Sequence, residues 1–426
     1  MDENSTLRLP EMAFVKRHLP ASTLGNVSDA VSHCLTHLAL PEALKPGETV
    51  AVAVGSRGID EIDRVVFRCL EFLKQKELKP FIVPAMGSHG GGTGDGQAAV
   101  LDKLGISEST MGVPVAPEID VSRLDSLPNG MNIYMSQRAL EADHVVVINR
   151  VKAHTKFSAD IESGLCKMLT IGLGKVAGAT EFHRTAVRHG FGIIEDAAET
   201  ILKHLPVLFG LALIEDGHGK LARVEGMLPS AFLEQEKTLL KDACGMMGHI
   251  PFDDLDLLVI DRFGKDISGI GMDSNVTGRH RDIVGDFFTA PHVKRIFVRD
   301  LSPGSDGNGN GIGLADVTTK RLVDALDLEK TYVNAVAAIS PEKTAIPMHF
   351  VTDRQSLDVC IRTAGLASGE TARIVRIRDT AHLEYLQISR ALEGDLATTA
   401  ATEQLTSWAP LEFDENGNVT PFPSLS

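Results

Sequence analysis

The sequence predicts an α/β protein of two domains, each built on a mainly parallel β-sheet, with an active-site cleft between the domains. Three observations predict this. The chain of 426 residues exceeds what one typical domain needs. Short β-branched or apolar runs alternate with helix-like runs along most of it, which is typical of βαβ units. The strand-like runs are apolar at nearly every position, as expected of strands covered on both faces.

The predicted strands are apolar runs that end before a polar or glycine-rich loop. They cover residues 49–54, 81–85, 144–150, 207–216, 255–261, 295–300, 346–353 and 372–379. Helices are predicted at residues 59–76, 95–104 and 230–247. The proline-containing segment GHIPFDD follows the last of these helices. We therefore predict an N-terminal cofactor-binding domain at residues 1–252 and a C-terminal domain at residues 253–426.

Charge and cysteine content exclude several classes of protein. The formal net charge of −15 argues against a nucleic-acid or membrane-surface protein, which normally carries a basic face. The N-terminus, MDENSTLRLP, is not that of a signal peptide, and no apolar run reaches the ~18–20 residues of a membrane span. The five cysteines are widely spaced without a CxxC pair, which fits a reducing compartment. These features predict a cytoplasmic protein with a small-molecule ligand.

Ligands of parallel α/β folds bind beyond the carboxyl ends of strands, so the loops there are the candidates. The loop PAMGSHGGGTGDG, residues 84–96, surrounds His89 with glycines. Such a loop forms either a backbone cradle for an anion, with His89 facing the ligand, or a glycine-rich turn with an exposed histidine. In VGSRG, residues 54–58, Arg57 is either a carboxylate-binding residue or a surface arginine at a helix start.

The segment at residues 149–184 is the richest in chemically active side chains. Lys167 lies among apolar neighbours, and burial would favour the neutral, nucleophilic amine; the alternative is a lysine whose ammonium reaches solvent. His154 and His183 flank it and are able to bind a metal or move a proton. Further along, GKDISGIGMDSNVTGRHR, residues 264–281, offers either substrate-binding charges or a solvated loop.

These stretches, in this order, resemble the nickel-pincer lactate racemase family of 2-hydroxyacid racemases and epimerases. GSRG places Arg57 at a substrate-side arginine, and GSHGGGT places His89 at the first catalytic histidine. AHTKFSADIESGLCK places His154 at the second catalytic histidine and Lys167 at the lysine that holds the cofactor. His183 follows Lys167 at the spacing of the nickel-binding histidine. The resemblance further implies that Ser163 and Gly164 contact the cofactor.

The fourth segment, GMDSNVTGR, resembles the family more loosely. The resemblance implies that Lys265, Asn275 and Arg279 lie on the substrate side. The segment has no clean match to the family's lysine, and Lys265, Arg279 and Arg281 are rival candidates for that role. Two local departures concern the substrate pocket. No acidic residue shortly precedes Arg57, and His89 is followed by two glycines where the lactate racemases have Arg-Pro. A longer acid than lactate is therefore a candidate substrate.

The resemblance implies a nickel-pincer nucleotide as cofactor, a pyridinium mononucleotide whose nickel is bonded to the ring carbon and two sulfurs. It also implies that cofactor-maturation enzymes make this cofactor. The predicted function is racemisation or epimerisation of a 2-hydroxy acid by hydride transfer, with His89 and His154 as acid and base. Two alternatives stand beside it. One is a metal-dependent hydrolase or lyase that uses His89, His154 and His183 as ligands. The other is a non-catalytic protein that binds small acids.

Overall fold

The computed structural model describes residues 8–423 except residues 42, 57 and 367. Contacts divide the chain into two compact units. The first unit is Ala21–Met247, and the second unit consists of the described residues of Met1–Pro20 and Gly248–Ser426. None of the helices in the described ranges is long and apolar enough to cross a membrane.

Strands and helices alternate along both units. The strands are β1 Met12–Arg17, β2 Thr49–Val54, β3 Lys79–Pro84, β4 Val121–Ser126, β5 Asn132–Ser136, β6 His144–Arg150, β7 Val207–Glu215, β8 Leu221–Met227, β9 Asp254–Phe263, β10 Arg279–His280, β11 Phe287–Phe288, β12 His292–Leu301, β13 Val317–Thr319, β14 Met348–Phe350, β15 Ile374–Asp379, β16 His382–Ser389 and β17 Thr402–Gln404. The helices are α1 Val27–Thr36, α2 Ile62–Gln75, α3 Gly94–Lys103, α4 Glu108–Met111, α5 Gln137–Leu140, α6 Gly164–Lys167, α7 Lys175–His189, α8 Ile193–His204, α9 Phe232–Met246, α10 Ser274–Thr277, α11 Lys320–Asp324, α12 Leu328–Ala337, α13 Asp353–Thr363 and α14 Glu393–Leu396.

The first unit is organised by a five-stranded sheet in the order β3-β2-β6-β7-β8. Strands β3, β2, β6 and β7 are parallel, and β8 closes one edge antiparallel to β7. Along β2, Ala51 and Ala53 pack into one core, whereas Val50, Val52 and Val54 pack into the core on the opposite face. Both faces are therefore covered, and the predicted α/β class with mainly parallel sheets is confirmed.

The strand order brings three loops to one edge of this sheet. β2 lies between β3 and β6, and all three run in the same direction. The segments that follow Val54, Pro84 and Arg150 therefore leave the sheet at neighbouring positions. These are the segments that contain Ser56, His89 and His154.

The second unit has an eight-stranded sheet in the order β14-β13-β12-β9-β15-β16-β1-β17. Its first five strands are parallel, and each of the next three, β16, β1 and β17, is antiparallel to the strand before it in this order. Strand β1 pairs with β16 and β17, so residues 12–17 belong to this sheet by backbone hydrogen bonding. The sequence gives no sign of that pairing. The predicted domains at residues 1–252 and 253–426, and a cleft between them, stay predictions.

Candidate functional site at the carboxyl edge of the first sheet

The loop after β3 depends on its glycines for its backbone conformation. Gly87, Gly90, Gly91 and Gly92 have φ values between 60° and 68°, the left-handed region that side-chain-bearing residues rarely adopt. A Cβ on Gly90 would lie 2.6 Å from the carbonyl carbon of Gly96. Gly90 is therefore required for the close approach of the loop to the first turn of α3.

His89 is exposed on this loop and joined to the neighbouring one. Its backbone N–H donates to the Met86 carbonyl at 3.1 Å, and its Nδ1 hydrogen bonds with Ser56 Oγ. Because a hydroxyl is able to donate or accept, this hydrogen bond is compatible with either protonation state of Nδ1. Arg57, which follows Ser56 in the chain, lies outside the described residues, so its predicted contact with substrate stays a prediction.

His154 lies half-buried in the loop after β6, and its ring nitrogen is already engaged. The backbone N–H of Lys156 donates to His154 Nδ1 at 3.1 Å, so the proton of a neutral ring lies on Nε2. The ring also stacks on Phe157, with centroids 4.3 Å apart. Protonation at Nδ1 would cost the hydrogen bond from Lys156, a restriction that the His89–Ser56 pair does not share.

Glu162 is a buried carboxylate that holds the His154 loop and that the sequence did not single out. It accepts the backbone N–H groups of His154 at 2.6 Å and Ala159 at 2.9 Å. Burial raises the pKa of Glu162, an effect opposed by these hydrogen bonds and by the charge of Lys167. The glutamate therefore orients the loop, and no pattern in the local sequence distinguishes it from a surface acid.

Lys167 ends the short helix α6, whose first turn is held by Glu236 of α9. Glu236 is 1% exposed and accepts the backbone N–H groups of Leu165 and, at 3.0 Å, Cys166. Burial raises the pKa of Glu236 to about 7. A π-helical turn, Met168–Gly172, continues the chain beyond Lys167; such turns are frequent at functional sites.

Ser163 and Gly164 shape the turn that carries Lys167. The Ser163 hydroxyl accepts the Lys152 N–H and donates to the Lys152 carbonyl, both at 2.6 Å. Gly164 has a φ of 85°, and its carbonyl accepts from the side chain of Asn149 at 2.8 Å. Their predicted contact with a cofactor stays a prediction. Glu236 had a detectable signal, because it interrupts the apolar stripe of Phe232, Leu239, Leu240 and Ala243 on α9.

The environment of His183 on α7 suits a side chain that binds a metal ion. Its Nδ1 is buried and has no hydrogen-bond partner among the described residues. Burial, together with the positive charges of Lys156 and Lys167, lowers the pKa of His183 to about 3. The ring is therefore neutral at physiological pH, which is the form that binds a metal.

Lys167 and His183 together fit a metal-containing group that is held by one lysine and one histidine. Lys167 is close enough to His183 for its positive charge to lower the pKa of the ring. The buried Nδ1 of His183 has no hydrogen-bond partner among the described residues, and a bound metal ion would satisfy this nitrogen. Within the described part of the chain, no group of three or more His, Cys, Asp or Glu side chains is arranged to hold a metal ion.

The remaining predicted residues lie in the second unit. Lys265 donates its ammonium to the Gly269 carbonyl at 2.6 Å, and both the backbone N–H and the amide of Asn275 bond to Asp273 at 3.0 Å. The Arg279 guanidinium contacts Asp316 at 2.6 Å and also donates to backbone carbonyls. Arg279 thus links several segments of the second unit through its hydrogen bonds. The substrate contacts predicted for Lys265, Asn275 and Arg279 stay predictions.

The first unit is an α/β unit with a glycine loop, a lysine-bearing turn and a half-buried histidine, His183, whose Nδ1 is buried. Residues 6–191 match the family described as the lactate racemase N-terminal domain. This part of the chain is therefore similar to that domain. This similarity supports a racemase- or epimerase-type function and suggests an isomerase.

The structure is similar to that of the lactate racemase apoprotein from Thermoanaerobacterium thermosaccharolyticum, at 12% sequence identity and a TM-score of 0.49. The alignment covers 86% of this chain and 98% of that chain. None of the curated proteins matches the sequence.

Proposed function

We propose that this protein racemises or epimerises a 2-hydroxy acid with a nickel-pincer nucleotide held by Lys167 and His183. The observation that carries the proposal is the buried, unpartnered Nδ1 of His183 beside the charge of Lys167. The family match supports it, because residues 6–191 include both side chains. An imidazole kept neutral by burial suits nickel, which binds nitrogen ligands well.

The chain's own residues would hold the cofactor and exclude water from it. The amine of Lys167 would form the covalent attachment, and the neutral ring of His183 would provide the protein's nickel ligand. Leu165 and Met168, both buried, flank the lysine and keep its surroundings apolar. When bound, the cofactor supplies an acceptor for the hydride of the substrate's α-carbon.

His89 and His154 would move the hydroxyl proton of the substrate. Imidazole suits this role because it changes protonation near neutral pH. The two rings differ in their hydrogen bonds: His89 keeps its bond to Ser56 in either state, whereas His154 loses the bond from Lys156 on protonation at Nδ1. A pair of bases, one for each face of the substrate, is the arrangement that racemisation requires. Arg57, Lys265, Asn275 and Arg279 remain the proposed substrate-side residues.

The test is a screen of 2-hydroxy acids for epimerisation, using protein matured in the presence of the cofactor-making enzymes. Metal analysis and intact mass accompany the screen. Stoichiometric nickel, a mass adduct on one lysine and turnover of an acid are expected. Bare zinc or iron without an adduct would instead favour a hydrolase or lyase, and neither metal nor adduct would favour a small-acid-binding protein.

Two variants test the assignment of His89 and His154 as the bases. Alanine in place of His89 or of His154 is expected to lower the rate about 10²–10⁴-fold while the protein stays folded. Parent rates for both enantiomers in either variant would contradict the paired-base proposal. The choice of acid, the dependence on maturation enzymes and the cytoplasmic location stay predictions.

A further inference from the structure

Lys175, at the start of α7, is one of the most deeply buried large side chains in the described part of the chain. It is 1% exposed, and its φ of 53° lies in the left-handed region. A residue with a side chain adopts this conformation when its surroundings impose it. Burial lowers the pKa of Lys175 to about 8, and the charge of Glu118 opposes that shift.

The Lys175 ammonium is bonded to the segment that carries His89. It donates to the Pro84 carbonyl at 2.6 Å and to Gln97 Oε1 at 3.1 Å. Gln97 is itself 0% exposed, and its Nε2 donates to the carbonyls of Gly87 at 2.9 Å and His89 at 3.4 Å. A continuous set of hydrogen bonds therefore runs from the first residue of α7 to the backbone of His89, and all of them except the partly buried one to His89 are buried.

Backbone contacts reinforce this connection. The N–H of Gly87 donates to the Gly172 carbonyl at 3.2 Å, three residues before Lys175. A Cβ on Gly172 would lie 2.7 Å from the Ala85 oxygen. The two segments thus pack backbone against backbone.

We propose that Lys175 and Gln97 are positioning residues that fix His89 relative to α7, the helix that also carries His183. This inference rests on the proposed function and deepens it. Lys175 and Gln97 would set the separation between a proton-transfer group and the cofactor site, without touching substrate. Fully bonded buried polar networks hold their members in one geometry, which is what paired acid–base groups require.

Gln97→Glu separates a positioning role from general stabilisation. A carboxylate at residue 97 keeps an acceptor for Lys175 but loses both donations to the loop carbonyls. Lys175→Met removes the two donations of the ammonium while keeping a side chain of similar length. If Lys175→Met fails to fold, Gln97→Glu still carries the test. Lys203→Met, which removes an exposed lysine paired with Glu199 on α8, is the control.

The first measurement is amide hydrogen exchange on the protein without substrate. The amides of Gly87, His89 and Gly92, each bonded to a backbone carbonyl, are expected to exchange about two- to tenfold faster in Gln97→Glu. The amide of Gly178, which donates to the Gly174 carbonyl within the first turns of α7, should keep the parent rate. Lys203→Met should change neither set. Unchanged loop exchange in Gln97→Glu would overturn the proposal.

The second measurement is the kinetics of the matured enzyme. Misplacing His89 is expected to lower kcat about 100-fold in Lys175→Met or Gln97→Glu, with KM little changed. In a His89→Ala background the same substitutions should have almost no further effect, because they act through that ring. Losses that multiply in the double variants would contradict a positioning role. Because the exchange experiment needs neither cofactor nor substrate, absence of racemisation in the parent would count against the proposed function alone.

Discussion

Gly164 and Glu236 are in a contact that leaves no room for a side chain at residue 164. A Cβ on Gly164 would lie 1.8 Å from Glu236 Oε1, and the φ of Gly164 is 85°. The carboxylate occupies this space because it accepts the N–H groups of Leu165 and Cys166. The turn before Lys167 is therefore built around a glycine and a buried acid that are distant in sequence.

Gly164→Ala is expected to destabilise the protein by about 2 kcal/mol or more, since overpacking and left-handed backbone strain act together. Urea unfolding measures the change. Gly245→Ala, near the end of α9, is the matched control, because a Cβ there would meet no atom within 4 Å. We expect the control to be neutral or slightly stabilising. Equal destabilisation in both variants would contradict the role of the Glu236 contact.

Glu236 is expected to make stability depend on pH. Its pKa is raised to about 7 in the folded protein from an ordinary value of 4.5, so the folded state binds the proton more tightly than the unfolded state between these values. Its contribution is fully present below about pH 4.5 and is lost as the pH rises towards 7, at up to about 1.4 kcal/mol per pH unit.

The difference between parent and Glu236→Gln isolates this contribution. Urea unfolding at pH 5 and at pH 7.5 should show a smaller loss of stability in the variant than in the parent. Glu225→Gln, on β8 and partly exposed, provides a control for removing an acid. If the parent and Glu236→Gln have the same pH dependence, the raised pKa is wrong.

Lys167 is expected to carry the cofactor adduct. Peptide mass mapping of the matured protein should place the added mass on this residue, and Lys167→Ala should lose it. Lys152→Ala is the better control than a substitution of Lys175, whose buried ammonium supports the glycine loop. Mapping of the adduct to Lys152, Lys156 or Lys175 would overturn the assignment.

His183→Ala is expected to lower nickel occupancy far more than His189→Ala, which changes an exposed histidine on the same helix. Metal analysis of the two matured variants makes the comparison. Because the pKa of His183 is lowered to about 3, protons should not compete for its ring between pH 5 and 7. Equal nickel content in the variants would refute the assignment of the ligand.

Gly90→Ala is expected to slow lactate and a long sugar acid to a similar degree. The glycine is needed for backbone geometry, since a Cβ would meet Gly96 and Gln97 and the φ is 64°. Comparison of kcat/KM for the two acids tests this. A selective loss on the longer acid would instead indicate that the space at Gly90 receives substrate.

The sequence alone was sufficient for features that depend on short stretches of chain. The strands predicted at residues 49–54 and 144–150 are β2 and β6 with the same bounds, because runs of β-branched residues favour buried strands. The glycine loop around His89 was likewise visible, since such a run of glycines is needed where φ is positive. The family resemblance rested on motifs of this local kind.

Tertiary structure decided what depends on residues far apart in the chain. Strand β1 joins the sheet of the second unit through β16 and β17, hundreds of residues away. The turn before Lys167 is held by Glu236, and His89 is linked to Lys175 through Gln97. Burial and hydrogen bonding set the pKa values and the orientations of these side chains, and both arise only when distant segments pack together. A single stretch of sequence specifies its own backbone preference. Only the folded chain determines which distant side chains are buried against one another and so removed from water.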